Sequence, residues 1–343
     1  SAAAAVLADC TLGGVRVKKT FSVPLPEWLI RRDGELYAPS PSNEARRIAW
    51  RGRRTCPSGG ASAAANLSSF GGEMDNGMTI GVAGYFNDAN GGSVSSTAMT
   101  LGMGDLGTIV FAEAAGTRAN GIDDKLPYAY EEAYDVGGAG EFGAFGAVTN
   151  SGSVEYQTPN FEFGDFSIGL SAAYDPNGGT ANRDHDAITS TSTTYGSGKA
   201  YTATISGMGA TVYLGSENVE GYTATDPDYN SALGAIMYSM GPVSLGYQEM
   251  YVDSAAGASD YEGDGYSVAF AVNDDLTLQI AEIEVKRKEV MGTAAVTEKN
   301  EQIGVSYTTG GMTFQVSQVD VSNYDYNTAL SGEHIEVALS FAF

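Results

Sequence analysis

The chain has 343 residues, 42 acidic against 18 basic side chains, a net charge of −24 and 45 glycines. Its mean hydropathy is −0.14, and no run approaches the roughly 18 apolar residues of a membrane helix, so a helical membrane protein is excluded. Acidity this strong also argues against nucleic-acid binding, which needs a basic footprint.

In chain order, the first segment stands apart. Residues 1–60 hold ten of the eighteen bases and five acids, net +5, which leaves the remainder at net −29. Cys10, Cys56, Trp28 and Trp50 all fall in it. The opening SAAAAVLAD has the small residues of an export-signal cleavage site without the basic start or full apolar stretch, and reads more simply as an alanine-rich mature terminus. Cys10 and Cys56 could pair in an oxidising compartment, but their spacing is no redox motif. Alternation over residues 1–75 is weak.

From residue 77 the pattern changes to a regular period of two. Phe166, Ile168, Leu170, Ala172 and Tyr174 alternate with Ser167, Gly169, Ser171 and Ala173, and Ile335, Val337, Leu339, Phe341 and Phe343 alternate with polar or small residues. Fourteen strands are predicted, near 77–86, 95–103, 106–114, 152–158, 165–174, 199–206, 210–218, 231–238, 242–251, 264–272, 276–285, 300–308, 312–322 and 333–343. Short connections (GD at 104–105, GMG at 207–209, SMG at 239–241, NDD at 273–275, TGG at 309–311) alternate with long ones. That order fits an antiparallel barrel with one rim of turns and one of loops. Two strands from residues 1–75 would bring the total to sixteen and put both termini on the periplasmic side. One set of alternating side chains is apolar, with aromatics near strand ends; the other is Ser, Thr, Gly, Gln and Glu. A polar interior with the apolar set against lipid accounts for both. At Glu282, Ile283, Glu284 and Val285 the parity breaks, which predicts a bulge or a strand leaving the membrane.

The segment SVEYQTPNFEFGDFSIGLSAAY (153–174), the run MGDLGTIVFAEA (103–114) before a long acidic stretch, and a last strand ending in Phe343 together resemble the Gram-negative general diffusion porins, in particular the alphaproteobacterial trimeric type. The resemblance spans about 77–343; residues 1–75 do not match the pattern and read as an atypical basic segment, either the first two strands or a stretch non-native to the family, for example a frame-shifted one. It implies an all-β transmembrane antiparallel barrel, domain 76–343, with one loop, about 115–150, folded into the lumen. On that resemblance residues 120–135 line a constriction, with Arg118, Asp123, Asp124, Lys125, Glu131, Glu132 and Asp135 as the candidate charges. A cluster of carboxylates in a narrow bore attracts cations; an acidic solvated loop on the rim is the competing reading. Arg46, Arg47, Arg51, Arg53 and Arg54 are candidates for an opposing basic wall, and Phe343 for the membrane-insertion end.

The expected function is a water-filled outer-membrane channel for passive diffusion of small hydrophilic solutes and ions, cation-preferring, lipid-embedded and homotrimeric. The alternatives are a secreted or surface-layer β-rich structural protein and a substrate-specific channel. No cofactor is implied, although DPNGGTANRDHD (175–186) and DYEGDGY (260–266) offer carboxylates for loop-bound Ca2+ without completing a binding motif. The two histidines, His185 and His334, join no catalytic pattern, and no P-loop or zinc spacing is present, so no enzyme is expected.

Overall fold

Alternating β-branched, aromatic and small residues favour extended chain, because each pleat sends successive side chains to opposite faces. The computed structural model describes residues 3–12, 15–24, 49–51, 64–87, 93–113, 117–119, 121–123, 125–135, 139, 142, 145, 148, 152–176, 197–220, 228–253, 260–288 and 294–341, with side chains described from residue 71 onward apart from 85–96 and 113. Its strands are β1 (Ala3–Leu12), β2 (Val15–Pro24), β3 (Ala49–Arg51), β4 (Ala64–Glu73), β5 (Thr79–Asn87), β6 (Ser93–Gly102), β7 (Thr108–Glu113), β8 (Ser153–Gln157), β9 (Phe161–Phe163), β10 (Phe166–Asp175), β11 (Gly198–Gly207), β12 (Ala210–Val219), β13 (Tyr229–Met240), β14 (Val243–Asp253), β15 (Tyr261–Ala271), β16 (Leu276–Arg287), β17 (Val296–Thr309), β18 (Met312–Ser322) and β19 (Ser331–Phe341).

All nineteen belong to one sheet. β8 and β9 pair with successive parts of β10 and so form one interrupted stave. Counted that way, β3 to β19 are sixteen consecutive antiparallel staves. The β1–β2 hairpin joins their ends, β2 pairing parallel with β19 and β1 parallel with β3, so the ladder returns on itself. A closed ladder is what lipid demands, since a spanning strand with an unpaired edge leaves backbone groups without partners. All fourteen strands expected beyond residue 77 are present, and β3 and β4 are the two from the first segment. The β1–β2 hairpin is additional and had no clear pattern in the sequence.

Connections alternate as expected. Met208–Gly209 and Gly310–Gly311 make two-residue turns in which both residues have positive φ (55° and 81°; 54° and 83°). That geometry matches the twist of the flanking strands, and glycine adopts it without strain. At the other rim the connections are longer, and the longest, 114–152, separates β7 from β8.

Exposure separates the two faces. Ile280 is 56 % and Ile303 60 % exposed, and Leu214, Ile236 and Leu245 point outward with them. Phe163, Phe166, Phe270, Phe314 and Phe341 circle the short-turn rim, while Tyr174, Tyr201 and Tyr251 lie towards the long-loop rim. Serines, threonines, glutamines and glutamates take the inward positions, among them Ser171, Thr202, Gln248, Gln279 and Ser317. The outer belt is apolar with aromatic girdles and the inside is polar, the arrangement of a membrane barrel.

The expected bulge at 282–285 is absent. β16 keeps unbroken register with β15 and β17 from Leu276 to Arg287; register shifts occur instead between Leu67 and Phe70 and at Tyr85/Phe86. Gln279, Ala281, Ile283 and Val285 all face inward and are buried, whereas Leu278, Ile280, Glu282, Glu284 and Lys286 face outward. The side chains never change sides; their surroundings do. Towards the long-loop rim the outer face leaves the apolar belt and turns charged, while the inner face meets apolar atoms instead of water. The 260–266 segment is likewise strand: β15 sends Glu262 and Asp264 outward, an extended geometry unlike a chelating loop.

An Ile280→Arg substitution places charge on the outer belt and is expected to destabilise the barrel by about 2–4 kcal/mol, whereas Thr308→Arg in the lumen changes stability little. Urea unfolding in lipid vesicles, followed by heat-modifiable gel migration, measures both.

Candidate functional site

The inner wall carries side chains too long for a plain hydroxyl lining, and these meet the 114–152 connection inside the barrel. Glu155 on β8 is fully buried and accepts from the Arg118 N–H at 3.1 and 2.8 Å through its two oxygens, from Ser171 Oγ at 2.7 Å and from Gln157 Nε2 at 2.6 Å. Gln248 on β14 accepts from the Lys125 N–H at 3.0 Å and donates to the Asp123 carbonyl at 2.8 Å. Ser267 donates to the Pro127 carbonyl, Gln279 accepts from the Ala129 N–H, and Gln302 donates to the Glu131 carbonyl. Asn300 donates to the Ala133 carbonyl, Glu298 accepts from the Ala139 N–H and Glu217 from the Val148 N–H. Tyr130 donates to Glu336 on β19 at 3.0 Å. The loop is therefore stapled across the lumen from β8 to β19. A buried carboxylate is tolerable only when donors replace its lost water, and the loop backbone supplies them to Glu155, Glu217 and Glu298.

Two apolar clusters complete the docking. Leu126, Ala133, Ala139 and Phe142 pack on Met250, Val252, Ala281, Ile283 and Val285. Ala119, Ile122, Phe145 and Val148 pack on Ala173, Ala200, Val219, Leu233 and Ala235. The wall makes room with glycine: a Cβ at Gly215 would strike Phe145 and Ile122, at Gly246 Pro127, and at Gly265 Phe142. These contacts explain the inner apolar face of β16. They also set aside the reading of this connection as a solvated rim loop.

The charges expected at a constriction are distributed unequally. Glu131 and Glu132 are half-buried and Asp135 is exposed, and their carboxylate oxygens lie within 4.8 Å of one another. The Lys125 ammonium lies 5.5 Å from the Tyr213 ring centroid. Arg118 is committed to the wall, donating to the Leu170 carbonyl at 2.8 Å and the Thr158 carbonyl at 3.1 Å. Asp123 meets the wall through its carbonyl. Asp124, Arg46, Arg47, Arg53, Arg54, Phe343, His185 and Cys56 lie outside the described residues; Arg51 ends β3 and Cys10 lies in β1, with side chains outside the described set. His334 is half-buried on the inward face of β19, opposite Val319. The staples, Glu155, Glu217, Gln248, Gln279, Glu298, Asn300, Gln302 and Glu336, were not singled out in the sequence. Their signal was available: long polar side chains at inward positions of successive strands that otherwise carry Ser, Thr and Gly.

Outside the barrel wall, at the long-loop rim, Glu220 is held below the usual carboxylate range by hydrogen bonds from Lys199 and Ser197. Lys288 is held above the usual ammonium range by its hydrogen bond to Glu262. Both are surface pairs in open solvent and steady loop ends rather than the fold.

Solved structures share this architecture. OmpF of Salmonella typhi, in complex with daunomycin, aligns over 82 % of this chain and 91 % of its own at 16 % identity and a TM-score of 0.60. The chain has the porin fold. An anion-selective porin from Comamonas acidovorans aligns over 83 % of this chain and 90 % of its own (12 % identity, TM-score 0.53). The outer-membrane channel DcaP of Acinetobacter baumannii covers 81 % of this chain and 82 % of its own (12 % identity, TM-score 0.52). Neither protein-family models nor curated protein sequences give a match. The likeness is therefore one of fold, that of bacterial outer-membrane barrels.

Glu155→Ala strands the N–H groups of Arg118 and Ala119, at a cost of about 1–3 kcal/mol for each buried donor. The expected result is a folded barrel whose inserted loop becomes protease-sensitive in membranes. Phe142→Ala removes a fully buried anchor worth about 3–5 kcal/mol and is expected to do the same; cleavage mapped by mass spectrometry checks both.

Proposed function

We propose that this protein is a passive channel of the bacterial outer membrane for small hydrophilic solutes and ions, preferring cations, assembled as a homotrimer and without catalytic activity. The observation that carries the reading is the loop stapled inside a polar lumen by Glu155, Gln248, Gln302 and Glu298. A ring of sixteen or more staves is too wide for its own side chains to fill, so an inserted segment sets the bore without closing it. The apolar outer belt speaks against a secreted or surface-layer protein, which would expose that face to water.

Selectivity follows from the loop. Glu131, Glu132 and Asp135 gather three carboxylates at one point of the inserted segment, and a negative potential in a confined, low-dielectric passage concentrates cations and repels anions. On this reading Asp123 and Lys125 contribute to the same constriction, with Lys125 tempering the field, and Arg118 acts as a strut.

In planar bilayers the purified protein is expected to give stepwise conductance with reversal potentials in a salt gradient that favour potassium over chloride. The triple variant Glu131→Gln, Glu132→Gln, Asp135→Asn should move the reversal potential towards zero with little change in step size. A chloride-favouring wild type would overturn the cation preference, and a protein that never conducts would overturn the channel.

A further inference from the structure

On the short-turn side of the inserted loop the lumen opens into two chambers of about 500 and 360 Å3, both lined by Tyr213. Their walls differ in kind from the carboxylates of the loop. In a chain of net charge −24, the described residues lining the two chambers include Lys125 and Arg118 and no carboxylate; Glu162 stands at the edge, accepting from Ser167 at 2.8 Å.

Hydroxyls are the commonest polar groups in both walls, set among apolar side chains such as Leu126, Pro127, Met237 and Ile122. Thr117, Ser167, Thr204 and Ser206 line the smaller chamber beside the Asn160 amide, and Ser244 and Thr277 line the larger. The lining continues towards the rim as cross-strand hydroxyl pairs flanking the turns: Ser206 with Thr211 at 3.2 Å, Ser239 with Ser244 at 3.1 Å and Thr308 with Thr313 at 3.0 Å. A hydroxyl donates and accepts, so such a wall can adapt to a ligand that does the same.

Tyr213 is the one aromatic side chain that the described strands turn inward in this half. It sits where the chambers meet, and Tyr128, half exposed on the loop, lines the larger chamber with it. Lys125 packs over the Tyr213 ring and adds an ammonium donor beside it. Ligand sites combine apolar or aromatic surface with a few placed polar groups. Here the combination is an aromatic surface, several hydroxyls, one amide and the Lys125 ammonium.

We propose that the chambers around Tyr213 form a binding subsite for uncharged sugars, and so name a solute class for the channel reading on which the proposal rests. A pyranose has an apolar C–H face and a hydroxyl periphery. The face suits a tyrosine ring, and the periphery suits groups that both donate and accept. The scarcity of carboxylates among the described wall residues favours an uncharged ligand over a cation.

The test is current block in planar bilayers by maltotriose, with polyethylene glycol of matched hydrodynamic size as the steric control. Wild type should show saturable block by maltotriose and only a linear, weak reduction by the polymer. Tyr213→Ala should weaken the sugar block about tenfold, equivalent to about 1.4 kcal/mol, with steps intact; Tyr213→Phe, which keeps the ring, should retain most of it. A channel that conducts but responds alike to sugar and polymer, or whose sugar block ignores Tyr213→Ala, overturns the subsite and leaves the channel reading standing. A preparation that never conducts overturns both.

Discussion

The structure depends on a loop held inside the barrel by the barrel's own inner wall. Buried carboxylates and amides on β8, β12, β14, β16 and β17 meet backbone groups of the 114–152 connection, and each group pays for the other's loss of water. Remove the loop and Glu155, Glu217 and Glu298 would line a passage wide enough for bulk solvent. Remove the staples and the loop would carry unpaired N–H groups. The two parts are stable together because neither is satisfied alone.

That docking divides the interior. Along the inserted segment the wall is glycine, amide and apolar carbon, shaped to receive Phe142, Phe145, Ile122 and Leu126. On the short-turn side it mixes hydroxyls with apolar side chains and, among the described strands, turns one tyrosine inward. One ladder of alternating side chains therefore presents two chemistries inward at different heights, and its outer face changes too, from Leu278 and Ile280 to Glu282 and Glu284.

The charge of the chain fits this division. Its carboxylates are spread over the outer rim, the inserted loop and the buried staples, and these three positions have different physical work to do. Exposed acids such as Glu220 pair with neighbouring lysines in solvent; the loop acids Glu131, Glu132 and Asp135 gather at one point of the inserted segment; buried acids bind backbone. Counting acids cannot separate these roles, because the count is blind to burial.

Much of the fold was legible along the chain. Period-two alternation and the order of short and long connections specified fourteen strands and their antiparallel neighbours, because pleat and turn geometry are local. Which alternating set faces outward was legible as well, from the small polar residues that could not fill a core. The break at Glu282–Val285 was visible but ambiguous: β16 shows that one-dimensional parity cannot distinguish a bulge from a change in what each face touches. The β1–β2 hairpin, the staples from Glu155 to Glu336 and the role of Arg118 as a strut were decided by tertiary structure. Those partners lie tens to two hundred residues apart, Tyr130 and Glu336 being separated by 206. The sequence by itself determined an amphipathic membrane sheet; only folding brought its longest loop against its inner wall, because that contact depends on the curvature of the closed ring and on no local pattern.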